Sequence, residues 1–405
     1  MPVKFNAHLT AGRSDGEARL RIEAVEADGA GVDAMAPKMR HYSVKLEDVP
    51  TAGANIIKQG MLSQGGDAAE SVGAYASKAE STDMIIMGTL DQLNALATKV
   101  SGQPFGLSEL ALDLPKLLEN AEKQAPAMLI KGGELGLSRR PLLMGIINCT
   151  PDSFYDGGKY DSCEDAINRG RKLIEDGADI LDIGGESTRP GSEGVSESEE
   201  IERVLPVIKE LAGSGVPISI DTMKKKVAEK AIEAGAVIIN DVSALSDPGL
   251  ASLAAESKVG VVLMHMLGTP RDMQKDPTYG DLFGEIIAFL RERIDRAVDA
   301  GVEEDRIAVD PGIGFGKTVA HNLELIRDLW RLRSIGRPVL LGPSNKSFIG
   351  KVLGAEIDER EKGTAAALVA GVLSGAHILR VHDVGAMKQY VEMAHAIRLG
   401  EGCHE

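Results

Sequence analysis

Polar side chains punctuate a series of apolar runs in this chain. Asn148 ends LLMGIIN, Asp221 ends PISID, Asn240 and Asp241 sit in VIINDV, and Asp310 follows IAV; Lys346 comes just after PVLLGPS, and Arg380 and His382 lie in HILRVHD. An ionised carboxylate at the end of an apolar run is costly unless it is paired. Taken alone, Asp221 or Asp310 could be a helix cap or a structural ion pair. Taken with Asn240 and Lys346, they suit a flat, polar heterocycle. A carboxylate accepts two parallel hydrogen bonds from an N–C–NH2 edge, and an Asn amide both donates and accepts. Arg380 and His382 share one face of RVHDV, and the guanidinium fork matches phosphate oxygens. Thr188 and Arg189 lie in STRPGSEG, a Pro/Gly-bounded loop long enough to act as a lid. Converging with Asn148, these groups would clamp an anion such as a pyrophosphate leaving group. The Asn148 oxygen fits a Mg2+ held mainly by substrate phosphates and water. It fits equally a turn residue bonding its own backbone.

Two other chemistries are weaker. DPGIGFGKT resembles a phosphate-cradling loop, but the G-x-x-x-x-G-K-[ST] spacing requires Gly where Pro311 stands. No H-x-H occurs, so a hydrolytic metal cluster on one strand is not indicated. The three cysteines, Cys149, Cys163 and Cys403, form no C-x-x-C pair and read as unlinked thiols.

These residues need elements to hold them. From about 140 onward, eight apolar runs rich in β-branched residues alternate with amphipathic stretches such as ESEEIERVLPVIKELAG. Buried parallel strands covered by helices give that pattern, and eight units in this length predict a (β/α)8 TIM barrel. A doubly wound sheet is the alternative, but the G-x-G-x-x-G opening is missing. The chemistry-bearing residues then fall at the C-terminal ends of the strands, where such barrels build active sites. Residues 1–137 lack the rhythm and read as a smaller α+β N-terminal domain. It would have strands in VKFNAHLT, ARLRIEAVEA and HYSVKLEDV, helices near 90–100 and 114–124, and a linker around 131–141. A scaffold or oligomerisation role is the expectation for it, and the barrel would occupy 138–405.

The 405 residues are 43% hydrophobic, 26% charged and 3% aromatic, with a formal charge of −16. Such a chain is a poor match for a phosphate backbone, so no nucleic-acid partner is expected. No apolar run is long enough to span a bilayer and MPVKFNAHLTAG is not laid out as a signal peptide, so no membrane and a cytoplasmic location are expected.

LLMGIINCTPDSFYDGG, LDIGGESTRPGS, ISIDT, NDVSAL, VVLMHMLGTPRDMQ, VDPGIGFGK, GPSNKSFIG and ILRVHDV resemble, in order, the motifs of the dihydropteroate synthase family. The resemblance covers about 140–400. It implies a (β/α)8 barrel that uses Mg2+ to join 6-hydroxymethyl-7,8-dihydropterin pyrophosphate to p-aminobenzoate, with dimerisation through outer helices. By resemblance, Asn148 holds the Mg2+, and Thr188, Arg380 and His382 contact the pyrophosphate. Asp221, Asn240, Asp310 and Lys346 line the pterin slot, with Met264 and Phe315 as its walls. Thr188, Pro190 and Ser347 seat the p-aminobenzoate, for which sulfonamides should compete. Asp221, Lys346 and Arg380 carry the catalytic roles. Cys149, Tyr155 and Asn345 depart from residues common in the family. Three other readings remain: a corrinoid-partnered methyltransferase of the same superfamily, a Schiff-base lyase using Lys346, and a pterin-binding protein without turnover. The complete TPDSF and STRPGS loops argue against the first.

Overall fold

The computed structural model describes residues 6–10, 12, 14–75, 78–123, 127–150, 159–187, 194–269 and 272–400. It divides into two compact units, Met1–Lys123 and Gln124–Glu405.

The first unit is a three-stranded antiparallel sheet with helices. Its strands are β1 (His41–Pro50), β2 (Asp67–Glu70) and β3 (Ser81–Thr89), in the order β1-β3-β2. Val44, Met84 and Ile86 of the sheet pack on Ile57, Leu93, Leu96 and Leu114 of the helices Thr51–Ser63, Leu90–Val100 and Leu107–Glu122. The strand expected in ARLRIEAVEA is instead the helix Asp15–Glu23. Ser14 caps it by accepting from the Glu17 amide, and Ala, Arg, Leu and Glu are all good helix formers. The described part of VKFNAHLT, residues 6–10, is not strand.

In the second unit a hairpin, β4 (Met128–Ile130) and β5 (Gly133–Leu135), precedes eight parallel strands. These are β6 (Leu142–Asn148), β7 (Ile180–Gly184), β8 (Ile218–Asp221), β9 (Ile238–Asp241), β10 (Gly260–Met264), β11 (Ile307–Asp310), β12 (Leu340–Leu341) and β13 (Ile378–Val381). The sheet order is β11-β10-β9-β8-β7-β6-β13-β12, and a parallel bridge between Val309 and Val339 closes it into the expected barrel. β12 is short because Pro338 and Pro343, flanking it, have no N–H to give to a ladder.

A boundary at 137, with a linker over 131–141, does not match this division. Met128, Ile130, Leu135 and Leu137 share one apolar cluster with the strand residues Met144, Ile180, Ile238, Val262, Ala308, Leu340 and Ile378. The hairpin therefore packs against an apolar layer of the barrel, and the units part at Lys123/Gln124. Its glycines and short strands read as a linker because the pattern cannot show what it packs on.

Candidate active site

Side chains on a strand alternate in direction, so a residue two beyond an inward-facing one also faces inward. Two positions past the apolar layer, Ile180 leads to Asp182, Ile238 to Asn240, Val262 to Met264, Ala308 to Asp310 and Ile378 to Arg380. One apolar layer thus underlies one polar layer nearer the C-terminal mouth. Asp221 joins it from the end of β8, in register with Asn240 and Gly184.

A single ion network ties this layer together. Arg380 donates from Nε to Asp182 Oδ2 and from Nη2 to Asp221 Oδ2, both at 2.6 Å. Asn240 Nδ2 donates to the same Asp182 oxygen at 3.2 Å. Asp182 is fully buried, whereas Asp221 keeps 14% of its side-chain surface. Burial pushes the Asp221 carboxyl up to about 7, opposed by Arg380 and reinforced by Asp182, Glu200 and Asp241. Burial works against the Arg380 charge, but the two carboxylates outweigh it and hold the guanidinium more firmly protonated than usual. Asp182 was not among the residues singled out from sequence. Its signal was there: a charge set between Leu181 and Ile183 in the middle of an apolar run demands a buried partner.

The loop after β11 builds a second wall. Asp310 accepts from the Gly312 amide at 2.6 Å, and burial raises its pKa. Gly312 has φ +71°, and a Cβ there would lie 1.9 Å from the His265 carbonyl oxygen, so only glycine fits. The turn directs Phe315 against Met264, Met273 and Val242, and the Lys346 ammonium lies 4.1 Å from the Phe315 ring centre. Lys317, buried, anchors the turn from behind: its Nζ is 3.0 Å from both the Phe315 carbonyl and His265 Nδ1. Burial brings Lys317 down to about 7 and His265 to about 3, so the imidazole is neutral and accepts. In sequence this lysine was visible only as the end of a failed phosphate-loop pattern.

Among the remaining expected residues, Asn148 ends β6 half-buried, paired in register with Gly184. His382 is set by Ser344, whose Oγ lies 2.9 Å from Nδ1. Ser347 is exposed at the start of the helix Ser347–Leu353. Thr188, Pro190 and Arg189 lie outside the described residues, as do 151–158 with Tyr155. The base of the 188–193 segment is described. Lys224 Nζ reaches Glu186 on one side at 2.8 Å, the Val195 carbonyl on the other at 2.7 Å, and buried Glu200 at 2.7 Å. Cys149 is buried, which pushes its thiol up to about 12 and leaves it unreactive at neutral pH. Asn345 adopts φ +57°, a conformation Asn tolerates, and its carbonyl accepts from Arg360 at 3.1 Å. No group of three or more His, Cys, Asp or Glu placed to hold a metal occurs among the described residues.

Residues 144–382 match the family model described as pterin binding enzyme. Over 283 residues the chain is 46% identical to dihydropteroate synthase of Bacillus subtilis, covering 69% of this chain and 97% of that one. The chain belongs to the dihydropteroate synthase family. A Yersinia pestis dihydropteroate synthase solved with a sulfonamide drug complex superposes with a TM-score of 0.65 at 42% identity, covering 67% of this chain and 99% of that one. The Xanthomonas albilineans enzyme in complex with 7,8-dihydropteroate gives 0.62 at 43%, with 67% and 99% covered. A probable bifunctional folylpolyglutamate synthase/dihydropteroate synthase of Halobacterium salinarum is 43% identical over 384 residues, 95% of this chain. A match that long reaches into the first unit, and this chain spans about half, 46%, of that relative's length.

Proposed function

We infer that the barrel mouth is where this chain works as a dihydropteroate synthase. It condenses 6-hydroxymethyl-7,8-dihydropterin pyrophosphate with p-aminobenzoate to 7,8-dihydropteroate, releasing pyrophosphate. The observation that carries the site assignment is the polar layer itself: Asp221, Asn240, Asp310 and Arg380 lie in or beside one layer of one barrel mouth. Relatives of the same family have been solved with a sulfonamide drug complex and with 7,8-dihydropteroate.

The pterin lies against the apolar wall of Met264 and Phe315, its amino-pyrimidine edge donating to Asp310 and meeting Asn240, with Lys346 beside it. The bond from the exocyclic methylene carbon to the diphosphate oxygen breaks, and the arylamine nitrogen bonds to that carbon and then sheds a proton. The positive charge that develops on the methylene spreads into the ring, and ionised Asp221 stabilises it. Arg380 and His382 receive the diphosphate, and Thr188, Pro190 and Ser347 seat the p-aminobenzoate. Asn148, half-buried at a strand end and bonded by no described side chain, fits a hard cation held mainly by phosphate oxygens and water. When bound there, Mg2+ supplies charge neutralisation of the leaving group. Lys346, stacked on Phe315, serves binding here rather than imine formation.

The same proposal includes a homodimer and a cytoplasmic enzyme. Leu373, Tyr390, Met393 and Ile397 are exposed on the helices Glu361–Leu373 and Val384–Leu399, an apolar face suited to a second copy. No described helix is long and apolar enough to cross a membrane. The deciding assay measures pyrophosphate released from the dihydropterin substrate. Release should require p-aminobenzoate and Mg2+, yield dihydropteroate, and be inhibited by a sulfonamide competitively with p-aminobenzoate. Release that ignores p-aminobenzoate, or none at all, overturns the reading.

A further inference from the structure

Structural ion pairs usually satisfy both oxygens of a buried carboxylate, because each unmet oxygen costs about 1–3 kcal/mol. Asp182 does not follow this pattern. One oxygen, Oδ2, takes the bonds from both Arg380 and Asn240, while Oδ1 is buried with no partner among the described residues. The carboxylate is therefore aimed rather than saturated.

The two arms of Arg380 are unequal. The Nε bond ends on a carboxylate sealed from solvent, and the Nη2 bond ends on Asp221, which borders the opening. No described residue bonds Nη1. A carboxylate oxygen can only accept, so Asp182 also compels Asn240 to turn its NH2 inward. The Asn240 carbonyl oxygen is left as the outer end of that amide, without a partner among the described residues.

We propose that Asp182 is a positioning residue for the dihydropterin diphosphate site. Its Oδ2 is a fixed pivot for the Nε of Arg380 and orients the amide of Asn240, while the Arg380–Asp221 bond is the one that opens to substrate. With the pivot held, the guanidinium can turn its Nη atoms toward the diphosphate without losing its buried counter-charge. Opening the second bond frees Asp221 to face the developing cation. One residue that touches no substrate thus sets two that do. The proposal rests on the synthase reading for its substrate, but the pivot can be tested without turnover.

Two measurements decide it. In Asp182→Asn, which is the same size, kcat/KM for dihydropterin diphosphate falls about 30-fold or more, in the range expected when a supporting hydrogen-bond partner is lost. The KM for p-aminobenzoate stays within about twofold of the parent, because loss of transition-state and diphosphate contacts leaves that site alone. A fall under about threefold, or an equal rise in both KM values, overturns the proposal. The second measurement uses the unaltered protein, so it stands even if the variant does not fold. Nitrogen-15 NMR should show the Arg380 Nε–H, assigned with Arg380→Lys, as a sharp, slowly exchanging signal. That signal should persist when dihydropterin diphosphate is added, while the Nη signals shift. Rapid exchange of Nε–H in the unliganded protein, or its loss on binding, overturns the pivot. Absence of pyrophosphate release by the parent enzyme instead overturns the synthase reading and leaves the NMR result standing.

Discussion

Replacing Arg380 by methionine should steepen the dependence of the barrel's stability on pH. The guanidinium makes two 2.6 Å bonds to two carboxylates, one sealed and one nearly so. Charge-assisted bonds contribute about 1.5–3 kcal/mol each, or about 3–6 kcal/mol for the two. Removing one partner of a buried ion pair costs about 3–5 kcal/mol, which agrees. In Arg380→Met, Asp221 faces buried Asp182 without the cation that opposes its protonation, so Asp221 keeps a proton to higher pH. Its folded-state pKa then lies above the unfolded value of about 4, further than in the parent, where Asp221 is already raised. The folded variant binds more protons than the unfolded chain, so stability present below about pH 4 is lost as pH climbs through the raised pKa. Thermal unfolding from about pH 5 to pH 8 should therefore show a deficit that widens with pH, to about 6–15 °C at the upper end. Adding Asp221→Asn to the variant should recover more than half of the loss at high pH. A deficit that is constant with pH, or smaller than about 1 kcal/mol, would refute the argument that these carboxylates depend on the arginine.

The other expectations follow from the same geometry. In the proposed mechanism Asp221 acts ionised, and burial pushes its carboxyl up to about 7, so kcat/KM for the dihydropterin substrate should fall about tenfold per unit below pH 7 and level off above it; a flat profile between about pH 5.5 and 8 removes Asp221 from the role. Lys224→Met strands buried Glu200 and leaves Glu186 and Val195 joined only by the Val195 amide, so stability should drop by about 3 kcal/mol and the KM for p-aminobenzoate should rise; an unchanged KM dissociates this knot from the 188–193 segment. Gly312→Ala places a Cβ 1.9 Å from the His265 carbonyl, and pterin affinity measured by calorimetry should be lost; retained affinity means the turn after Asp310 can rearrange freely.

Several things were decided by sequence alone. Eight apolar runs at helix-separated intervals could only bury themselves as parallel strands under helices, and β6 through β13 lie within those runs. Where each run ended in Asn, Asp, Lys or Arg, the residue was necessarily near the mouth, because all eight strands point one way. Local chemistry was legible for the same reason: a strand's period and a loop's glycines are properties of neighbours in the chain. Tertiary structure decided what depends on which strands become neighbours. Asp182 and Arg380 are 198 positions apart, and only the closure of β7, β6 and β13 side by side puts a 2.6 Å bond between them. The stretch from 131 onward, which includes the second strand of the hairpin, looked like a linker until the apolar layer of the barrel gave that hairpin something to cover. Lys317 and His265, 52 positions apart, become a pair only when β10 and β11 adjoin. Periodicity says which way a side chain points; which charge meets it depends on barrel register, and no stretch of sequence contains that.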